Sequence, residues 1–289
     1  MVVHEDRTIS GTIGGGPMEF AVVNMAAKQM DEQKTDIKVF GMRGTDVETS
    51  ISICGGGATV CLHTLAEKDI DGLCEICDCL NKHENFSMVI RKDGENDAHI
   101  ECVRGGGVVT DPENGILYAG DPKANERLIL IGGGHVALAT AKVAEIAGFD
   151  IAVTDDRPEF ANTDRFPGAD CRVCTDFEHI PFDDVRENDY IVIATTGHKG
   201  DRHALEWSLK TKADYVGMLG SRTKVHFVLD YLLEKGITKE RIESVHSPVG
   251  ISLGGRTPGD IGVSIVAEMV MHRASKGEGE LKAHAEKQK

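Results

Sequence analysis

The stretch RLILIGGGHVALATAKVAEIAGFDIAVTDDR, residues 127–157, decides how this sequence folds. It opens with a short apolar run, continues through three glycines and a helix-length pattern, and ends in a second apolar run closed by two aspartates. Short apolar runs bounded by turn residues are typical of strands buried on both faces of a parallel sheet. The order strand, glycine turn, helix, strand predicts a βαβ unit of the nucleotide-binding type.

The glycine turn fits the pattern G-x-G-x-x-A through Gly132, Gly134 and Ala137. In that pattern the small residues permit a tight turn, a close approach of the backbone to a phosphate, and close packing of helix on strand. The amino end of the helix adds free N–H groups and a positive dipole end for an anion. Asp155 ends the second strand, where an acid bonds a ribose hydroxyl. His135 is unusual in such a turn, and a doubly wound fold with an altered site is the alternative.

The composition is that of a globular protein with an acidic surface. Hydrophobic residues make up 40% of the 289 residues and charged residues 27%, and the net charge is −15. Such a surface repels nucleic acid and anionic lipid, and the sequence holds no run of Lys and Arg to offset it. No apolar run approaches the roughly 18 residues that span a bilayer, and MVVHEDRTIS does not resemble a signal peptide. We therefore predict a cytoplasmic protein that binds neither nucleic acid nor membranes, with its eight cysteines as thiols.

Two domains are predicted, with a boundary in the Pro-, Gly- and Asp-rich stretch 111–127. Beyond it, the runs LILIG, DIAVTD, DYIVIAT and DYVGML alternate with helical patterns, which favours a parallel sheet with right-handed crossovers. Before it, a helix from about Pro17 and the patterns IKVFGM, TSISIC, ATVCLHTL and FSMVIRKD indicate an α+β domain. The predicted fold class is α/β, a C-terminal doubly wound Rossmann-like parallel sheet over 126–274 with a smaller α+β N-terminal domain over 1–120.

The last long helix has a clear start in the sequence. Thr257 is a natural N-cap, Pro258 suits the first helical position, and Asp260 completes a capping box. The apolar face that follows is made of Ile261, Ile265, Val266, Met269 and Val270. Residues 275–289 have no apolar periodicity, so we predict a mobile tail there.

Several motifs occur together and in a fixed order along the chain. They are GTIGGGPMEFAV at 11–22, CGGGATVCL at 54–62, the stretch from GGGHVALATAK to RFPGAD at 132–170, DYVGMLGSRTK at 214–224, and SPVGISLGGRTPGDIGVSIVAEMV at 247–270. Together they resemble the XdhC/CoxI family, the accessory proteins of xanthine dehydrogenase and related molybdenum hydroxylases. The resemblance covers residues 8–273. The N-terminal domain of that family ordinarily begins some tens of residues earlier, so we expect this domain to lack its usual first segment.

The resemblance implies a maturation factor or chaperone more than a catalyst. It implies that the protein binds the molybdenum cofactor (molybdopterin) and supports its sulfuration and its insertion into a molybdenum hydroxylase such as xanthine dehydrogenase. The partners implied are that hydroxylase, a cysteine desulfurase as sulfur donor, and a second copy of the chain in a homodimer. No catalytic residue is assigned.

Residues expected to contact a cofactor follow from the matched motifs. In the N-terminal domain they are Gly14, Gly15, Gly16, Glu19, Cys54, Gly55 and Gly56. In the C-terminal domain they are Gly132, Gly134, His135, Asp155, His198, Ser221 and Arg222. Glycine turns before helices and an arginine suit the phosphate of the cofactor, and a cysteine sulfur suits molybdenum or a persulfide. Cys54 is therefore the expected contact of molybdenum or sulfur.

These assignments have plainer alternatives. Cys54 can be a small residue buried at a strand end, and Arg222 a solvated charge at a helix start. The turn 14–16 can be a simple helix start, with Glu19 favouring the helix dipole.

Two further stretches invite a metal interpretation that we do not favour. CEICDC, residues 74–79, lacks a standard zinc or iron–sulfur spacing, so packed thiols on a helix are expected. The predicted apolar face of that helix is Leu73, Ile76, Cys77 and Leu80. In TTGHKGDRH, residues 195–203, His198 and His203 need not face one another, and we expect a ligand-contacting loop without a metal. Asp201 is a helix cap in the alternative interpretation.

Two other classes of function stay open from the sequence. An NAD(P)-dependent oxidoreductase would use the Rossmann site through Gly132, Gly134, Ala137 and Asp155, but the first half shows no convincing acid/base residue or substrate pocket. A redox-sensing or nucleotide-sensing regulator would use the cysteines and the same site, but no DNA-binding element supports it. NAD(P) or another nucleotide is the ligand expected in these cases.

Overall fold

The computed structural model describes residues 1–30, 35–40, 58–94, 97–220 and 231–287. The chain divides into two compact units, Met1–Ala124 and Asn125–Lys289. Among the described residues, no helix is both long and apolar enough to cross a membrane.

Over its described residues, the first unit combines two α-helices and two short 3-10 helices with short antiparallel sheets, as the α+β pattern predicts. Its α-helices are α1 (Gly16–Met30) and α2 (Ile70–Lys82). Its strands are β1 (Val2–Val3), β2 (Ile9–Ser10), β3 (Thr35–Phe40), β4 (Ala58–His63), β5 (Phe86–Lys92), β6 (Ala98–Arg104) and β7 (Ile116–Gly120). Strand β1 pairs with β2, β3 pairs with β4, and β5 lies between β6 and β7. The predicted strand TSISIC lies outside the described residues.

Helix α2 packs very closely on strand β6. A Cβ atom on Gly72 would lie 2.1 Å from the carbonyl oxygen of Ile100, so only glycine permits this approach. The face that turns inward buries Ile76 and Cys79, whereas Cys77 is exposed. The prediction that Cys77 lies on the apolar face was therefore wrong, because the close contact at Gly72 fixes a rotation of the helix that carries Cys79 inward instead.

The second unit is a parallel sheet with helices on both faces, which confirms the predicted fold class. Its strands are β8 (Arg127–Ile131), β9 (Asp150–Asp155), β10 (Asp170–Val173), β11 (Tyr190–Ile193) and β12 (Tyr215–Met218). In the part of this unit that the structure describes, the helices are α3 (His135–Ile146), α4 (His198–Lys210), α5 (Lys239–Glu243) and α6 (Pro258–Lys287). The strands lie in the order β10-β9-β8-β11-β12, and every pair is parallel. The order reverses between β8 and β11, which makes their carboxyl ends the topological switch point where α/β sheets bind ligands.

The two faces of this sheet belong to separate hydrophobic clusters. Ile129, Ile131, Ile191 and Ile193 pack with residues of α4 on one face. Leu128, Leu130 and Val192 pack with residues of α3 and α6 on the other. Alternate residues of one strand point to opposite faces, and both faces are covered, which is why each run is continuously apolar.

Helix α6 begins as the capping box predicts. The backbone N–H of Asp260 donates to Thr257 Oγ1 at 3.1 Å, and the N–H of Thr257 donates to Asp260 Oδ2 at 3.0 Å. The helix continues to Lys287 and so includes residues 275–287 of the segment that we expected to be a mobile tail. Lys, Glu and Ala make up nine of the fifteen residues there, and their high helix propensity supports a helix without an apolar face.

Candidate functional site

The site is built around the glycine turn that follows β8. Gly132 has a φ of +101°, and a Cβ atom there would lie 2.5 Å from the carbonyl oxygen of Ala194 at the end of β11. Its N–H donates to the carbonyl of Thr154 on β9 at 2.7 Å. Gly132 therefore contacts the carboxyl ends of β9 and β11 directly after β8, at the switch point.

The next two glycines differ in what surrounds them. A Cβ atom on Gly133 would lie 2.0 Å from the carbonyl oxygen of Phe160, so the backbone is pressed against the loop after β9. Gly134 is the N-cap residue of α3, and a Cβ atom there would meet nothing within 4 Å. His135, the first residue of α3, is exposed, and Ala137 is buried against the sheet. The turn is therefore closed towards the protein at Gly133 and open to a ligand at Gly134 and His135.

Asp155, at the end of β9, is buried, and both of its carboxylate oxygens accept hydrogen bonds from protein groups. Its Oδ2 accepts a hydrogen bond of 2.8 Å from the N–H of Gly133, and its Oδ1 accepts one of 3.0 Å from the N–H of Arg157. The guanidinium of Arg157 adds bonds of 2.8 Å from Nε to Oδ1 and 3.0 Å from Nη2 to Oδ2. Burial opposes the charge, but these bonds outweigh it, and the pKa of Asp155 lies below its usual range. A ribose hydroxyl would find both carboxylate oxygens already bonded.

Two arginines flank the closed side of the turn. The guanidinium of Arg157 lies 3.8 Å from the centre of the Phe160 ring, and that of Arg165 lies 5.1 Å from it. Arg165 Nε also donates to the carbonyl of Gly133 at 2.9 Å. Burial and the neighbouring Asp155 raise the pKa of the Asp156 carboxyl above its usual value. Stacked and hydrogen-bonded guanidinium groups next to a glycine turn are suited to an anionic ligand.

The end of β11 supplies the other side of the switch point. Thr195 Oγ1 donates to Asp201 Oδ1 at 2.6 Å, and Asp201 is buried in the first turn of α4. Helix α4 begins at His198, after Gly197, so Asp201 lies inside the helix rather than at its N-cap. His203 Nδ1 lies 3.0 Å from Glu178 Oε1, away from that first turn. The described residues contain no group of His, Cys, Asp and Glu suited to hold a metal ion.

The first unit contains a second glycine turn, which precedes α1. Gly14, Gly15 and Gly16 all have left-handed φ values, and a Cβ atom on any of them would meet nothing within 4 Å. Glu19 Oε2 accepts hydrogen bonds of 3.1 Å from the N–H of Ile13 and 3.3 Å from that of Gly15. The hydroxyl of a neighbouring threonine is the main cause that lowers the pKa of Glu19. The carboxylate of Glu19 therefore occupies donors that a phosphate would use.

The structure thus brings Gly132, Gly134, His135 and Asp155 together at one edge of the sheet. It places Gly14, Gly15, Gly16 and Glu19 together in the first unit. The remaining predicted site residues, Cys54, Gly55, Gly56, Ser221 and Arg222, lie outside the described residues, as does the side chain of His198.

Sequence reasoning missed the engagement of Asp155 by Arg157 and the pair formed by Thr195 with Asp201. An arginine two residues after the acid was visible in the sequence, but its partner was not.

A cavity of about 440 Å³ lies at the amino ends of β8 and β9, next to Arg127, and is separate from the glycine turn.

Two family models match the chain. The model of the XdhC Rossmann domain matches residues 128–269, and the model of the XdhC and CoxI family matches residues 1–41. A protein from Bacillus halodurans, whose crystal structure is described as that of a xanthine dehydrogenase, has the same fold with a TM-score of 0.75. It is 24% identical, and the alignment covers 94% of this chain and 84% of that one.

Three curated proteins are similar to this chain in sequence. The uncharacterized protein YqeB of Escherichia coli K12 is 28% identical over 93% of this chain, and a Bacillus subtilis 168 protein named as a probable xanthine dehydrogenase subunit is 30% identical over 51%. The molybdenum cofactor insertion chaperone PaoD of Escherichia coli K12 is 24% identical over 94% of this chain and 77% of its own length. The matches cover only 39% of YqeB and 43% of the Bacillus subtilis protein. This chain is a member of the XdhC and CoxI family.

Proposed function

We propose that this protein is an accessory factor that holds the molybdenum cofactor for insertion into a molybdenum hydroxylase of the xanthine dehydrogenase type. The observation that carries the proposal is the turn 132–134, which is closed at Gly133 and open at Gly134. The names of two relatives, an insertion chaperone and a xanthine dehydrogenase subunit, support the same role.

The phosphate of the cofactor fits the open side of this turn. The first N–H groups of α3 have no partner within the helix, and they face a region that a Cβ on Gly134 would enter without contact. His135, the first residue of α3, is exposed and follows this open side directly. When bound, the cofactor supplies the molybdenum centre of the client enzyme, and the residues named here bind and orient it.

Sulfuration of the cofactor belongs to the same proposal. Cys54, in the motif CGGG at 54–57, is the proposed contact of molybdenum or of a transferred sulfur. The proposed sulfur donor is a cysteine desulfurase, and the proposed acceptor of the cofactor is a molybdenum hydroxylase. The protein would associate as a homodimer in the cytoplasm. The role of this chain is presentation of the cofactor, without an assigned catalytic residue.

The test is the cofactor content of protein purified anaerobically from cofactor-producing cells. Molybdenum is measured by mass spectrometry and pterin by fluorescence after oxidation. We expect both near one equivalent per chain, with molybdenum lost in Cys54→Ala and retained in Cys61→Ala. Cys61 is a suitable control because it is a partly buried thiol of the same unit. Absence of both molybdenum and pterin from the wild-type protein would contradict the proposal.

An NAD(P)-dependent oxidoreductase is the second candidate. The strand order and the turn 132–134 favour it, whereas the engagement of Asp155 by Arg157 disfavours it. A fluorescence titration with NADH and NADPH on the same preparations separates the two. Tight binding of either nucleotide by protein that retains no pterin would contradict the cofactor-holding role and favour the oxidoreductase class.

A further inference from the structure

Two thiols of the first unit lie next to each other across an element boundary. Cys79, on α2, and Cys102, on β6, have their Sγ atoms 3.8 Å apart. Cys79 is fully buried and Cys102 is half-buried, and both belong to the cluster that contains Phe86 and Ile100. Closing to a disulfide requires an approach to about 2.0 Å, which is a side-chain movement of less than about 2 Å.

Charged groups surround this pair on its outer side. The thiol of Cys79 lies 3.8 Å from Glu84 Oε2, and Arg104 forms ion pairs with Glu84 and with Asp78. The guanidinium of Arg104 offsets only a small part of the effect of burial on the pKa of Cys102, so the reactive thiolate form of Cys102 is favoured by alkali. The 3.8 Å between the two sulfur atoms suits disulfide formation, and the described residues here hold no group suited to a metal ion.

We propose that Cys79 and Cys102 are a reversible oxidation site, which closes to a disulfide on exposure to a peroxide and links α2 to β6. This site is independent of whether the protein binds the molybdenum cofactor. In the first step one thiolate attacks a peroxide oxygen, the O–O bond breaks, an S–O bond forms, and water leaves. In the second step the other thiol attacks that sulfur, the S–S bond forms, and a second water leaves. The two thiols lose two electrons and two protons, and the peroxide is reduced to two waters.

The reaction is slow at neutral pH and faster in alkali. Burial, followed by the contact with Cys79, raises the pKa of Cys102 to about 11. The thiolate fraction of Cys102 therefore rises about tenfold for each pH unit below that value. The thiolate form of Cys102 is scarce at neutral pH, so the pair reacts slowly with a peroxide there.

The sequence makes the disulfide directly detectable. Trypsin releases residues 69–82, which contain Cys74, Cys77 and Cys79, and residues 93–104, which contain Cys102 as their single cysteine. The full-length protein is treated with hydrogen peroxide at about pH 8.5, where the thiolate fraction is higher than at neutral pH, then alkylated, digested without reductant, and analysed by mass spectrometry. We expect the two peptides to appear as one linked species, which dithiothreitol separates again.

Variants and fragmentation assign the bond. The linked species should be lost in Cys79→Ser and kept in Cys61→Ser, because burial also raises the pKa of Cys61 to about 11 although it is not part of the pair. Fragment ions of the wild-type species should place the bond at Cys79, which decides the matter even if Cys79→Ser does not fold. A bond to Cys74 or Cys77, or recovery of Cys102 only as a thiol or a sulfonic acid, would overturn the proposal.

Discussion

Arg157 covers the carboxylate of Asp155, with Nε 2.8 Å from Oδ1 and Nη2 3.0 Å from Oδ2. The same carboxylate accepts the N–H of Gly133, so it joins the end of β9 to the glycine turn after β8. In a dinucleotide site an acid at this position bonds a ribose hydroxyl. Here both carboxylate oxygens are bonded to Gly133 and Arg157, so the acid joins the glycine turn to the loop after β9.

The first prediction concerns the stability of this arrangement. Asp155→Asn should lower the free energy of unfolding by about 2 kcal/mol, because it removes charge-assisted bonds from a buried site. Urea unfolding of the full chain, followed by circular dichroism, measures the change. Asp156→Asn is the matched control and should stay within about 0.5 kcal/mol, because its side chain is 43% exposed. An equal loss of unfolding free energy in both variants would mean that the buried bonds between Arg157 and Asp155 do not stabilise the fold.

The second prediction concerns the buried ion pair at the other end of β8. Arg127 Nη2 lies 2.6 Å from Asp189 Oδ2, and the two side chains are 8% and 0% exposed. Asp189→Ala should cost about 3 kcal/mol, because it leaves the buried guanidinium with fewer partners. The loss of unfolding free energy in Asp189→Ala should change little between low and high salt, since salt screens buried ion pairs only weakly.

A surface pair in the same unit provides the control for Asp189→Ala. Arg172 Nη2 lies 2.7 Å from Asp170 Oδ2, with side chains 37% and 46% exposed. Asp170→Ala should cost less than about 1 kcal/mol. If both substitutions lower the unfolding free energy equally, burial does not determine how much the Arg127 ion pair stabilises the protein.

The sequence predicted the second unit well because burial on both faces gives an unambiguous signal. The runs that form β8, β9, β11 and β12 are continuously or nearly continuously apolar, and each was predicted as a strand. Strand β10, with the sequence DCRV, was missed, because an edge strand needs no apolar run and is short.

The first unit was harder to predict for a related reason. Strand β7 lies inside the stretch 111–127 that we predicted as a domain boundary. Its residues pair with β5, but Gly and Asp on both sides of it suggested a linker. Strand β6 was not predicted either, because AHIECVR mixes polar and apolar residues without a long run.

Within the candidate site, glycine positions could be predicted and side-chain partners could not. Gly132 and Gly134 follow from a spacing pattern that local backbone geometry imposes. The bond between Asp155 and Arg157 depends on a turn conformation that the sequence does not encode in a pattern. The same holds for Glu19, whose contacts with the N–H groups of the turn 14–16 depend on three left-handed glycines.

The third prediction is a dependence of stability on pH through Glu268 of α6. Burial opposes its charge, but bonds from the N–H of Gly250, from His246 and from Tyr215 lower its pKa below the usual value. A carboxylate whose pKa is lowered by folding stabilises the protein above its unfolded pKa of about 4.3, and this contribution disappears as pH falls through the folded pKa. The unfolding free energy should therefore fall more steeply between about pH 5 and pH 3 in the wild-type protein than in Glu268→Gln.

The control for the pH prediction is Glu240→Gln, at an exposed position of α5. Its curve should run parallel to that of the wild-type protein, whereas Glu268→Gln should be less stable at neutral pH and converge with the wild type in acid. Parallel curves for Glu268→Gln and the wild type would show that this carboxylate does not contribute.

The fourth prediction separates folding from ligand binding at the glycine turn. Gly133→Ala should lower the unfolding free energy by about 2 kcal/mol or more, because its Cβ would lie 2.0 Å from the carbonyl oxygen of Phe160. Gly134→Ala should cost about 0.5 kcal/mol, because its Cβ meets nothing within 4 Å and only the helix N-cap preference changes. That Cβ nevertheless enters the region where the proposed phosphate would lie.

Gly134→Ala should therefore fold as the wild type does and retain less pterin after anaerobic purification, since the methyl group excludes the phosphate from the first N–H groups of α3. Unfolding curves and pterin fluorescence on the same preparation measure both quantities. Full retention of pterin by a folded Gly134→Ala would mean that the phosphate does not bind at this turn. The turn 14–16 would then be the better location, and Glu19→Gln, which weakens the internal competitor for its N–H groups, should increase retention.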